Sequence, residues 1–148
     1  MARCIPEAGI DFSNLDGSRS YSRFAFYGQS KLATALFAKE LSRRLAGAKI
    51  SVNSIHPGAT RGTNLNANVR FPLNVVLSVA QLFIKSISQG AAPQVLLAAH
   101  PLAEGMTGDY WADCQPAKGS PLLENSEISR KLWDFSENFF WSLRASCS

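Results

Sequence analysis

The stretch from Phe24 to Ala46 constrains this chain more than any other. Within it Leu32 and Leu36, and then Phe37, Leu41 and Leu45, recur at four-residue intervals, a spacing that lines one face of an α-helix. Arg43 and Arg44 fall in its last turn, where cations complement the helix dipole, and Gly47 supplies a stop signal. Directly afterwards "KISVNSIHPG" alternates apolar and small polar residues from Ile50 to Ile55. That pattern predicts a strand ended by Pro57-Gly58.

The remaining segments extend the alternation. The first two dozen residues read as a loop, since "NLDGSRSYS" is rich in turn formers. A second helix is expected from near Ala92 through "QVLLAAH", with Pro93 in its first turn. "TGDYWADC", opened by Gly108, is a second strand candidate, with Tyr110 and Trp111 expected in the core. The tail "SEISRKLWDFSENFF" carries Ile128, Leu132, Phe135 and Phe139 on one helical face, with Ser126 as the expected cap. Helix, strand, helix, strand, helix is the order of an α/β domain with a parallel sheet. Two strands are too few for such a sheet, which needs cover on both faces and further neighbours.

Composition excludes some partners. The 148 residues suit one domain, and 46% hydrophobic with 18% charged is a globular balance. A net charge of +4 is scattered, with no basic stripe interleaved with aromatics, so nucleic acid is not an expected partner. Cys4, Cys114 and Cys147 form no metal-ligand spacing and read as reduced thiols in a cytoplasmic setting. Cys114 reads as a small core residue. The opening "MARCIPEAGIDF" lacks the apolar run expected of a signal peptide. The most apolar segment, "FPLNVVLSVAQLFI" from Phe71 to Ile84, is too short to span a bilayer as a helix. It suits a buried helix, a substrate lid or a peripheral membrane contact.

The chemistry centres on "YGQSKLA". Tyr27 and Lys31 are four apart, which places them on one helical face with Cβ atoms about 5–6 Å apart. An ammonium that close favours a phenolate, drawing a tyrosine toward the working range of an acid–base catalyst. Two surface residues at that spacing are the bland alternative, because such a pair arises by chance in roughly one chain of this size in four.

The surroundings decide between the two. "YGQSKLA" followed by "ISVNSIHPGATRGTNL" resembles the catalytic half of the short-chain dehydrogenase/reductase family, in its retinol-dehydrogenase-like branch. "QGAAPQVLLAAHPLAEGMTGDYWADCQPAK" and "ISRKLWDFSE" resemble that branch's closing helix, last strand and tail. The likeness runs in order from Gly9 to about Phe139. It implies the C-terminal part of a Rossmann-like, doubly wound parallel sheet of three αβα layers, its N-terminal strands missing, with residues 1–148 a partial domain.

The resemblance also implies roles. Tyr27 would be the general acid/base, and Lys31 would tune it and hold the ribose of NADP, or of NAD. Pro57, Gly58, Ala59 and Thr60 would approach the nicotinamide. Relatives place a threonine five residues after the proline, where this chain has Gly62, so Thr60 and Thr63 both stand as candidates to hold the carboxamide. The branch's catalytic serine would fall at or before Met1, with Ser13 a weaker alternative. Ser30 either faces the site or simply decorates the helix, and His56 reads as structural. The implied substrate is a lipophilic alcohol or carbonyl, retinoid- or steroid-like, with Phe71–Ile84 in the lid position. Members pair through the tyrosine helix, which points here to a homodimer involving Leu36, Leu41 and the Arg43–Arg44 end.

The sequence holds no Gly-x-x-x-Gly-x-Gly turn to seat a pyrophosphate on a helix N-terminus. The free chain is therefore expected to bind cofactor poorly and to turn over little or nothing. The alternative reading is a truncated, non-catalytic remnant that acts by dimerising with a full-length relative.

Overall fold

The computed structural model describes residues 9–58, 60 and 85–146. The expected lid segment Phe71–Ile84, together with Ala59 and Thr63, lies outside the described residues. The elements run in the order α1 (Arg23–Arg44), β1 (Ser54–His56), α2 (Ile87–Ala99), β2 (Tyr110–Ala112), β3 (Gln115–Pro116) and α3 (Ser126–Ser146). Short 3₁₀ turns at Pro101–Ala103 and Pro121–Glu124 precede β2 and α3. The chain divides into two compact units: the described residues of Met1–Ser54, Gly105–Tyr110 and Lys118–Ser148, and those of Ile55–Glu104 and Trp111–Ala117.

The first unit is built on α1. Leu32 and Leu36 are fully enclosed and Ala35 nearly so, against Leu123 of the 3₁₀ turn and Leu132 of α3. Ile10, Phe12, Tyr110, Leu122 and Ile128 close the margin of this core. Farther along, Glu40 is buried and bound by Arg43 at 3.2 Å and Arg44 at 2.9 Å. Arg43 also donates to the enclosed hydroxyl of Ser129 on α3 at 3.0 Å, and Phe37 stacks on Trp133 with centroids 4.8 Å apart. A buried carboxylate is tolerable only when charge and hydrogen bonds answer it, which the two arginines supply. Leu36 and the arginines, expected at a contact between copies, are thus engaged within their own unit.

Three sequence expectations change here. The strand expected over Ile50–Ile55 pairs regularly only at Ser54–His56. Before it, side chains take the hydrogen bonds a ladder would use. Val52 N–H donates to Thr107 Oγ1, and the Asn53 amide donates to the Met106 carbonyl while accepting from Asp109 N–H. The second helix begins at Ile87, not near Ala92, because Ser86 and Gln89 form a reciprocal capping box. Pro93 therefore lies inside the helix, where its missing N–H leaves one carbonyl of the preceding turn without its usual donor. The cap of α3 is Asn125, not Ser126: its Oδ1 accepts from the N–H groups of Glu127 and Ile128 at 3.0 and 3.1 Å.

The sheet order is β1-β2-β3. Gly108 N–H to Val52 O and Ser54 N–H to Asp109 O advance both segments in the same direction, the parallel sense expected. The second edge departs from that expectation, since β2 and β3 are antiparallel with Trp111 opposite Pro116 and Ala112 opposite Gln115. Asp113 and Cys114 form the connecting turn at φ 54° and 62°. Two positive φ values in a two-residue hairpin follow the twist of the strands. Aspartate tolerates that conformation, but cysteine gives no sequence signal for it. Trp111 is buried, and burial pushes the Tyr110 phenol above its ordinary range. Among the described residues no helix is long and apolar enough to cross a membrane.

Candidate active site

Tyr27 and Lys31 occupy the second and third turns of α1 and point the same way. The Lys31 ammonium lies 5.3 Å from the centroid of the Tyr27 ring. Both side chains are exposed, Tyr27 by 54%. The pair is presented by a helix whose other side is pinned by Leu32, Ala35 and Leu36. Among the described residues neither the Tyr27 hydroxyl nor the Lys31 ammonium has a hydrogen-bond or carboxylate partner, so both polar groups are available to a ligand. A cation over a phenol ring contributes about 0.5–1 kcal/mol at an exposed site, enough to bias the two toward each other.

The two serine candidates are both committed to local structure. Ser30 Oγ donates to the Tyr27 carbonyl at 2.8 Å, a hydroxyl folded back on its own helix. Ser13 donates to Asp11 through its hydroxyl at 2.7 Å and its N–H at 3.0 Å, and its oxygen accepts from Arg19 at 2.9 Å. Those two donations hold the Asp11 carboxyl below its usual range.

In the second unit His56 closes β1, half-buried, and Pro57-Gly58 ends it as expected. Gly58 adopts φ +78°, a left-handed conformation that side-chained residues rarely take. Thr60 makes an isolated parallel bridge with Lys85 and lies close against Gly90 of α2. Lys85 forms an ion pair with Asp113. Sequence reasoning missed Lys85 and Asp113, and no local pattern could have found them, because they are far apart in the chain and meet only in the fold.

The family of short chain dehydrogenases matches residues 10–73, a span that includes Tyr27, Lys31 and the Pro57–Thr63 segment. By this match and those that follow, the chain is similar to short chain dehydrogenases, over residues 10–73 and over most of its own length respectively. Among particular relatives, it is 40% identical over 131 residues to "Retinol dehydrogenase 14" of Homo sapiens, covering 86% of this chain and 39% of that protein. It is 38% identical over 137 residues to "Short-chain dehydrogenase TIC 32 A, chloroplastic" of Brassica napus, covering 91% and 42%. To "WW domain-containing oxidoreductase" of Homo sapiens it is 36% identical over 129 residues, covering 86% and 31%. The chain thus spans less than half the length of these relatives.

Proposed function

We propose that this chain carries the proton-transfer face of an NAD(P)-dependent oxidoreductase acting on a lipophilic alcohol or carbonyl compound. The observation that carries the reading is the Tyr27–Lys31 pair: a phenol and an ammonium on one exposed helical face, 5.3 Å from ring centroid to nitrogen. The described elements are read as the C-terminal part of a Rossmann-like, doubly wound fold.

Taken singly, residues of each unit have chemistry suited to a nicotinamide nucleotide. Lys31 offers an exposed ammonium suited to ribose hydroxyls; the Pro57-Gly58 turn, with Gly58 at φ +78°, is the segment that the resemblance sets beside the nicotinamide. When bound, the nicotinamide supplies or accepts the hydride. Tyr27 gives the proton of its hydroxyl to the carbonyl oxygen in reduction and takes it from the alcohol in oxidation. Lys31 keeps positive charge beside that oxygen throughout. Thr60 and Thr63 remain the two candidates for the carboxamide. The apolar sequence of Phe71–Ile84 supports a lipophilic substrate, and the names of the retinol dehydrogenase relatives agree.

Nicotinamide fluorescence tests the binding half of this proposal. Titration of the full chain with NADPH to millimolar concentration is expected to saturate. Lys31→Met should weaken binding at least about tenfold, the value of one hydrogen bond to a charged group. Lys49→Met, an exposed lysine beyond α1, should change nothing. Equal binding by the Lys31→Met chain would remove Lys31 from its role.

A further inference from the structure

Gly58 and Thr60 are both engaged by a residue that the proposed reaction does not use. A β-carbon built on Gly58 would come within 3.1 Å of Lys85 Nζ, 3.3 Å of its Cε and 3.5 Å of its Cδ. The lysine stem therefore runs across the bare face of the glycine. Its backbone bridges to Thr60, and its ammonium ends on Asp113 in the β2–β3 turn. Thr60 is fitted in the same way: a β-carbon on Gly90 would lie 2.6 Å from Thr60 Oγ1, so only glycine leaves room for it there. Two glycines thus accept two side chains, and both side chains act on one bend.

We infer that Lys85 is a positioning residue which sets the backbone of Gly58 and Thr60 by anchoring to Asp113. Its consequence for cofactor rests on the reading above that this bend faces the nicotinamide. The geometry explains why a lysine serves: the end of its stem and its ammonium lie together beside Gly58, and the ammonium there meets the carboxylate of the neighbouring turn. It also explains Asp113, since aspartate both accepts the ammonium and tolerates φ 54°. The two side chains are 31% and 62% exposed. The link is therefore worth a modest factor, up to about fivefold in an equilibrium it controls.

Amide resonances of the ¹⁵N-labelled full chain test the link without any ligand. Asp113→Asn keeps the side-chain shape and the tolerance for a left-handed backbone but removes the charge. It should move the Gly58 and Thr60 resonances, although it touches neither residue directly. Lys85→Met should move the same two, and the double variant should go no further than the larger single change, because both break one connection. Lys85→Arg should restore them. In parallel, the neutral variants should weaken NADPH binding up to about fivefold while the thermal midpoint stays in place, which a merely structural role would not produce. Gly58 and Thr60 resonances that ignore Asp113→Asn, or effects of the two changes that simply add, would overturn the inference. Resonances that respond while NADPH fails to saturate the wild-type chain would support the link and sink the nicotinamide reading of the bend.

Discussion

Replacing Leu36 with alanine measures how firmly α1, and with it the Tyr27–Lys31 face, is held by its own unit. The Leu36 side chain is 0% exposed, enclosed with Leu32, Ala35, Leu123 and Leu132. The change deletes three buried carbons, and at about 0.8 kcal/mol for each the transfer loss is about 2.4 kcal/mol. The walls of the gap belong to two helices and a 3₁₀ turn, which cannot close it fully, so a cavity term raises the cost to about 3–4 kcal/mol. For a domain of this size that corresponds to a midpoint about 6–16 °C lower. Since the chain has two units, the assay must report on the right one. Fluorine NMR of 5-fluorotryptophan-labelled chain in urea separates Trp133, stacked on Phe37 beside this core, from Trp111 in the other unit. A loss below about 1 kcal/mol in the Trp133 transition would refute the packing argument, since changes outside such sites stay within about ±0.5 kcal/mol. Leu143→Ala, at a position 52% exposed, is the internal control for that small class.

Two further outcomes follow from local contacts. Asn125→Ala removes the side-chain acceptor for two N–H groups at the start of α3 and should cost about 1 kcal/mol in urea unfolding, whereas Ser126→Ala should cost under about 0.5 kcal/mol; the reverse ranking would reinstate Ser126 as the cap. Lys39 donates to Glu124 at 2.6 Å and holds that carboxyl below its ordinary value. The associated stability is present above the ordinary glutamate range and is lost as pH falls through the lower folded value. Lys39→Met should therefore flatten the acid limb of a stability–pH curve, and an unchanged acid limb would contradict the pairing.

Much of the candidate site was legible because its signals are local. Tyr27 and Lys31 share a helical face by spacing alone, and Leu32 and Leu36 of the repeat that identifies α1 are also among the residues that pin it. The Pro57-Gly58 stop after β1 was equally local. What escaped depends on partners distant in sequence or on competition between nearby signals. The Ile50–Asn53 alternation looks like a strand, yet Thr107 and the Asn53 amide take over its hydrogen bonds. Pro93 drew the expected start of the second helix toward itself, although Ser86-x-x-Gln89 was present as a capping box all along. The aromatic repeat in the tail continued past the buried part of α3: Ile128 and Leu132 pack inward, while Phe135 and Phe139 are 42% and 57% exposed. Periodicity identifies a helical face but not what covers it. The Lys85–Asp113 link is long-range on both sides and leaves no pattern in the chain.

The most direct measurement of the central claim is cofactor-dependent turnover of a lipophilic aldehyde, followed at 340 nm with the full chain and NADPH at millimolar concentration. The account predicts slow turnover by the wild-type chain and a loss of at least about 100-fold in Tyr27→Phe, the scale of a missing proton donor, with an unaltered circular dichroism spectrum. Turnover that survives the loss of that one hydroxyl would contradict it.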